Sequence, residues 1–335
     1  MRPPKRARPV IAIFALNAAT EITDLMATYG VLRTADVAET AVVAERADPI
    51  PLFPFSRFGK GPELLRIEPQ STTRAFDARW PDGADYVIVP AVEPRDDPFA
   101  LAWILDQHRK GATIVSVCAG ALTLAAAGLL DGRRATTHWA YVEQLQKDHP
   151  TLRWVRDRRY VADDGVVTAT GITASIPVSL ALVEAIAGRA RAEQAAQSLG
   201  VAHWDARHSS AAFRLTAEHR KTFMRNWLSP WRGETVGVPV GEGVDEIALA
   251  LQADAYSRTS LGEVVTIGTG AAALRGRNGL AIHPRAPGPA ASVDRLLAPP
   301  SADAPAKTIE RALADIAARF GRPTAEIVAL QLEYA

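Results

Sequence analysis

The chain has a single cysteine, Cys118, in 335 residues. No internal disulfide can form, and nothing asks for an oxidising compartment. Long apolar runs are missing as well: no stretch approaches the ~18 consecutive apolar residues that a membrane span needs. Charge of one sign is scarce, since 38 Lys plus Arg stand against 37 Asp plus Glu, a net +1. That balance argues against bulk attraction to nucleic acid or to a membrane. No His, Cys, Asp or Glu cluster has metal-ligand spacing, so neither a metal nor another cofactor is expected. What remains is ordinary for a globular protein, 48% hydrophobic and 22% charged, with enough length for two domains. The expected setting is the cytoplasm. The opening MRPPKRARPVIAIFALNAATE imitates a secretory leader. Its apolar run is short, however, and Asn17 and Glu21 follow quickly, so it reads as a basic tail leading into a first strand.

Strands and helices alternate along the first 200 residues. Val10 to Leu16 reads as a buried strand, Glu21 to Leu32 as a helix and Thr40 to Ala44 as a strand. Pro49 to Gly61 reads as a loop, Tyr86 to Pro90 as a strand and Pro98 to His108 as a helix. The central stretch is ATIVSVCAGALTLAAAGLLDGRRATTHW, from Ala112 to Trp139. Its branched run Thr113-Ile114-Val115 is a buried strand that breaks at Cys118-Ala119-Gly120 into a helix. A cysteine at such a turn faces a helix N-terminus, which favours the thiolate; a small core residue is the bland alternative. Beyond it come a helix from Ala140 to Lys147, strand material from Val161 to Thr170, and a long apolar helix from Ile176 to Ala187. This order predicts an α/β fold: a doubly wound, mostly parallel sheet with helices on both faces, a flavodoxin-like three-layer sandwich. Ligands bind such sheets beyond the C-terminal strand ends, where Cys118 falls.

From Val201 the texture changes. Residues 201–232 form a polar connector whose Trp204, Phe213, Phe223, Trp227 and Trp231 are expected to pack in the core or between domains. Residues 233–335 then echo the first domain, residues 9–200. Ser175-Ile176, Gly188-Arg189 and Ala192-Glu193 recur at one constant offset as Thr308-Ile309, Gly321-Arg322 and Ala325-Glu326. Glu246-Ile247 to Tyr256 echoes Glu21-Ile22 to Tyr29, and Asp294 to Pro299 mirrors Asp85 to Pro90. The second stretch lacks anything matching Cys118 to His138, so it reads as a shortened, degenerate copy.

The run SVCAGALTLAAAGLLDGRRATTHW resembles the ThiJ/PfpI superfamily, of class I glutamine-amidotransferase-like fold. The nearest branch holds isonitrile hydratases and the sensor domains of AraC-type regulators. That branch shows V-C-T-G, then A-x-A-G-L-L-D-G-R-x-A-T-T-H-W; here Val117 to Gly120 and Ala127 to Trp139 match at nearly every place. The likeness extends to Asp24-Leu25 and to Gly171-Ile172-Thr173-Ala174. It implies a nucleophile elbow with Cys118 in a strained conformation and Asp24 beside the thiol, sharing or accepting its proton. His138 is implied near the pocket, as an acid or base or as a structural group bonded to backbone. Backbone N–H groups at Ala119, Gly120 and Ala91 are the implied oxyanion donors. Departures accompany the match. The family's threonine after the nucleophile is Ala119, its Gly-Gly after the Pro90 strand is Ala91-Val92, and its Gly-Ile-Asp is Ser175-Ile176-Pro177.

Two functions stay open on this basis. One is a cysteine-dependent hydratase or hydrolase of a small molecule, with activity kept, altered or lost. The other is a non-catalytic metabolite- or redox-sensing module without a DNA-binding domain. Ala314 to Leu332 superficially resembles one helix-turn-helix, but its second helix, Thr324 to Tyr334, has no Lys or Arg, so direct nucleic-acid binding is not expected. Self-association as a homodimer is left open.

Overall fold

Val10–Ala15 forms β1, and all of its side chains are buried, as a branched apolar run requires when a strand is covered on both faces. The computed structural model describes residues 1–56, 59–270, 272–288 and 292–334. In chain order the first half continues with α1 (Ile22–Ala35), β2 (Glu39–Ala44), β3 (Ile50–Phe53), β4 (Leu65–Ile67), β5 (Tyr86–Val89) and α2 (Pro98–Arg109). Then come β6 (Thr113–Ser116), α3 (Gly120–Ala126), α4 (Val142–Asp148), β7 (Tyr160–Asp163), β8 (Val166–Ala169), α5 (Ser175–Ala187) and α6 (Arg189–Leu199). The main sheet runs β7-β8-β6-β5-β1-β2, with the short strand Ser71–Thr72 beyond β2. Every pair is parallel except the β7–β8 hairpin, which turns at Asp164 and Gly165, both at positive φ. The expected mostly parallel α/β sheet is therefore present. β1 lies in its interior.

The second half follows α7 (Ala217–Trp227). It comprises β9 (Glu234–Pro239), α8 (Glu246–Ser257), β10 (Gly262–Ile267), β11 (Leu274–Arg275), β12 (Ala281–Pro284), β13 (Arg295–Leu296), α9 (Thr308–Phe320) and α10 (Arg322–Leu332). Its parallel sheet is ordered β10-β9-β13, the arrangement of β2-β1-β5. The breaks between paired helices also correspond: Gly188 separates α5 from α6 at φ 83, and Gly321 separates α9 from α10 at φ 93. Only a residue without Cβ adopts such angles cheaply.

The halves meet in two places. α1 and α8 run antiparallel: Arg258, just past the end of α8, bonds Glu21 at the start of α1, while Gly30 late in α1 sits on Ile247 at the start of α8. At the far end of this joint Asn278 mediates, bonding the Glu246 carboxylate with both nitrogens and accepting from Tyr29 and Arg33 through its carbonyl. Alongside, the antiparallel pair β12–β4 joins two hairpins into one sheet, β11-β12-β4-β3, with Ile282 opposite Ile67 and the short strand Thr20–Glu21 parallel to β3 at its edge.

Two sequence expectations need correction. Pro49 to Gly61 is not simply a loop, because Ile50–Phe53 pairs with β4 once its partner is supplied from later in the chain; positions 57 and 58 lie outside the described residues. Of the connector aromatics, Trp204 and Phe213 are buried as expected, but Trp227 and Trp231 are 64% and 79% exposed. The half of α7 that faces inward, at Thr222 and Asn226, is polar instead. Asn226 bonds Thr259 and Thr324 across the second half, so hydrogen bonding rather than tryptophan burial docks this helix.

Gly30 gives a sign test of the joint. A Cβ there would lie 2.5 Å from Ile247 Cγ1, within a fully buried contact. Replacing a helix-interior glycine by alanine ordinarily gains about 0.5–1 kcal/mol. Gly30→Ala is expected to lose stability instead, and Gly30→Val to lose about 1–3 kcal/mol through overpacking. Urea unfolding followed by circular dichroism checks both.

Candidate functional site

Cys118 sits where β6 ends and α3 begins, at φ +54, a left-handed conformation unusual for a residue with a side chain. Its backbone is held by neighbours on both sides. The Cys118 N–H donates to Thr170 O at 3.0 Å, and its carbonyl accepts from Thr137 Oγ1 at 2.9 Å. Gly120 allows the tight turn, because a Cβ there would lie 2.2 Å from Val89 O. Cys118 thus occupies a sharp left-handed turn between strand and helix.

Asp24 stands beside the thiol, in the first turn of α1 and fully buried. Its Oδ2 accepts from the Ala91 N–H at 3.0 Å, while Oδ1 has no partner among the described residues. Burial, opposed by that N–H and reinforced by Asp254, pushes its carboxyl from the ordinary 3.8 up to about 7. Glu21, the N-cap of α1, accepts from Asp24 N at 2.6 Å. Burial and the carboxylates of Asp24 and Asp254 push Glu21 well above the usual range.

The second half completes this cluster. Arg258 bonds Glu21 Oε1 at 3.1 Å, forks onto Asp254 at 2.7 and 3.1 Å, and donates to Phe55 O at 2.6 Å. Asp254 also accepts from Thr23 Oγ1 at 2.9 Å. Arg258, Glu21 and Asp254 are all removed from water. Three carboxyl groups and one guanidinium therefore share a dry space beneath the elbow.

The thiol itself is raised well above its ordinary range, first by burial and then by the Asp24 and Glu21 carboxylates, against the lowering effect of the Ala119 N–H facing it. Of the two alternatives the sequence left open, a thiolate favoured by the helix dipole and a small core thiol, burial works against the first: a helix terminus contributes typically about 0.3–1 kcal/mol, whereas full burial of an ionisable group shifts its pKa by up to about 3–5 units. α3 is also only seven residues long.

The other expected residues are all present around the elbow, with their groups committed. The Ala91 N–H goes to Asp24, the Gly120 N–H to Val117 O at 2.9 Å, and the Ala119 N–H to the sulfur. His138 Nδ1 accepts from Ala140 N at 3.1 Å, so the neutral ring carries its proton on Nε2 and donates to Gln331 O at 2.9 Å. Burial lowers its pKa, opposed by Glu333 and Gln331. The end of α10 thus covers the site. Glu333, at φ 53, accepts from Gly171 N at 2.6 Å and Trp139 N at 3.3 Å, and pairs with His208 at 3.0 Å. Trp139 Nε1 donates to Leu330 O at 2.8 Å.

Sequence reasoning missed Glu21, Asp254, Arg258 and Glu333. One signal was available for two of them: the echo that aligns Glu21 with Glu246 also aligns Arg33 with Arg258. Among the described residues, no group of three or more His, Cys, Asp or Glu could hold a metal ion. No helix there is long and apolar enough to cross a membrane.

A cysteine at a left-handed strand-to-helix elbow, with a buried acid opposite on the first helix, is the arrangement that the ThiJ/PfpI resemblance implied. The chain belongs to the DJ-1/PfpI family, whose sequence model matches residues 11–185. It is 43% identical over 109 residues to the isonitrile hydratase of Pseudomonas putida, a match covering 31% of this chain and 46% of that protein. It is 38% identical over 86 residues to the HTH-type transcriptional regulator CdhR of Pseudomonas aeruginosa, covering 26% and 25%. The chain thus spans less than half the length of these relatives. A ThiJ/PfpI family protein from Pseudomonas syringae superposes with a TM-score of 0.48 at 25% identity, covering 58% of this chain and 76% of that one.

Two tests address the cluster. Arg258→Met leaves buried carboxylates unpaired and is expected to cost about 3–5 kcal/mol. Adding Glu21→Gln should recover part of that loss, as a double-mutant cycle by chemical denaturation would measure. For Asp24, the folded value lies above the unfolded one, so the native state binds the extra proton between about pH 4 and 7. Stability from this group falls as pH rises across that window. Wild type is expected to lose more stability than Asp24→Asn between pH 5 and 8, read from thermal melting.

Proposed function

We propose that the chain is a small-molecule-responsive sensing or binding module built on a DJ-1/PfpI domain, in which Cys118 is a shielded thiol rather than a working nucleophile. One observation carries the reading: the backbone donors that would meet a developing oxyanion are already spent on the protein's own groups. Ala91 serves Asp24, Gly120 serves Val117, and Ala119 faces the Cys118 sulfur itself. Acyl-transfer and hydration chemistry depends on such donors being free and aimed at the reacting atom. In the same reading residues 233–335 are a shortened, degenerate copy of the domain at 9–200, joined by the connector 201–232. The copy acts as a built-in partner that supplies Arg258, Asp254 and the covering end of α10. The kinship with CdhR and with isonitrile hydratase suits a domain type that serves both sensing and catalysis.

A second reading, a cysteine-dependent hydratase or hydrolase, is favoured by Asp24. An acid held at about 7 beside a thiol, with Oδ1 unpartnered, has the pKa that general acid–base catalysis at neutral pH calls for.

Alkylation of Cys118 separates the two. For the shielded thiol, iodoacetamide at pH 7 is expected to label the native protein at least about a hundredfold more slowly than the urea-unfolded chain, with the rate still climbing at pH 9. A native rate matching or exceeding that of the unfolded chain, levelling off below pH 8, overturns it. Turnover of isonitriles, small amides or α-oxoaldehydes that disappears in Cys118→Ser would establish the second reading in its place.

A further inference from the structure

Between α7, α10 and the turn at Trp139-Ala140 lies a cavity of about 430 Å³. Its wall is mostly carbon: Leu215, Phe223 and Met224 on one side, Ile327 and Leu330 on the other, with Ala140 at the turn. The polar groups on that wall fall into two sets. His138 has both ring nitrogens engaged, with Ala140 N and Gln331 O, and the Gln331 side-chain amide donates to Arg258 O. By contrast, the guanidinium of Arg220, exposed at the rim, makes no hydrogen bond or ion pair among the described residues. His219 uses Nδ1 to accept from Thr216 N, which leaves its neutral ring with an outward Nε2–H donor. The unspent side-chain polarity on the α7 wall is therefore cationic and donating. The surrounding segment 214–232 reinforces that sign, with Arg214, Arg220, Lys221, Arg225 and Arg232 against the single acid Glu218.

We propose that this cavity binds a small amphipathic anion, an apolar body ending in a carboxylate, with the carboxylate on Arg220 and His219 and the body against Leu215, Ile327 and Leu330. An apolar pocket with a few convergent polar groups is the usual form of a small-molecule site. A carboxylate gives the solvated Arg220 guanidinium a charge-assisted partner that a neutral apolar molecule lacks, and a wholly polar anion would leave the carbon wall wet. The site stands on its own geometry. Its connection to Cys118 rests on the sensing reading: the cavity shares Gln331, Leu330 and His138 with the segment that covers the thiol.

The experiment titrates sodium octanoate, and 1-octanol as its uncharged counterpart, into the full chain by calorimetry. One octanoate per chain is expected, with a Kd below about 1 mM. Arg220→Gln should weaken octanoate about tenfold and leave octanol unchanged. Leu215→Trp, which fills the cavity from a half-buried loop, should abolish binding of both, and unchanged melting curves show that each variant folds. Absence of saturable octanoate binding, or octanoate binding indifferent to either substitution, overturns the proposal. The iodoacetamide rate at Cys118, read with octanoate bound, distinguishes the two claims. A changed rate supports the link to the thiol, whereas binding with an unchanged rate keeps the site and removes the link.

Discussion

A guanidinium held away from water must find its counter-charges inside the protein, and Arg258 finds them in both halves at once. Its fork grips Asp254 on its own helix and reaches Glu21 across the α1–α8 joint. Desolvating an ion costs several kcal/mol, and only close, well-aligned partners repay it. The cluster thus fixes how the two halves seat against each other. Because Glu21 caps α1 and bonds Asp24 N, the same contact also sets the acid that stands beside Cys118. The joint and the site are one electrostatic object.

This coupling explains why the thiol pKa is pushed up where a helix N-terminus alone would lower it. An elbow motif describes a turn of backbone; it says nothing about what lies opposite the side chain. Here three carboxyl groups and a roof from α10 lie opposite, and burial outweighs the dipole of a seven-residue helix.

Much of the fold was legible from the alternation of strands and helices, since branched apolar runs such as Val10–Ala15 and Tyr86–Val89 become central strands with little choice of face. Cys118, Asp24 and the glycine of the elbow were legible through a motif that is local in sequence. Arg258 and Glu333 were not: Arg258 pairs with Asp254 one turn away, but its reach to Glu21 and the contacts of the Glu333 carboxylate join residues more than a hundred positions apart. The exposed Trp227 and Trp231 misled for the opposite reason: aromatic content suggests burial, but α7 turns its polar side, through Asn226, toward the second half. His138 was legible as a residue near the site, while its engagement with Gln331 required the fold.

The β12–β4 pairing and the α1–α8 joint have a consequence for dilution. When two separate subunits build a site together, the site dissolves as the protein becomes scarce. Here the halves share one polypeptide, so the effective concentration of one beside the other is set by the tether and not by how many molecules the solution contains. The two ends of the joint are also free to differ, since a single substitution alters one of them alone. Charge gathers where Arg258 meets Glu21, and a neutral amide at Asn278 does the corresponding work at the opposite end.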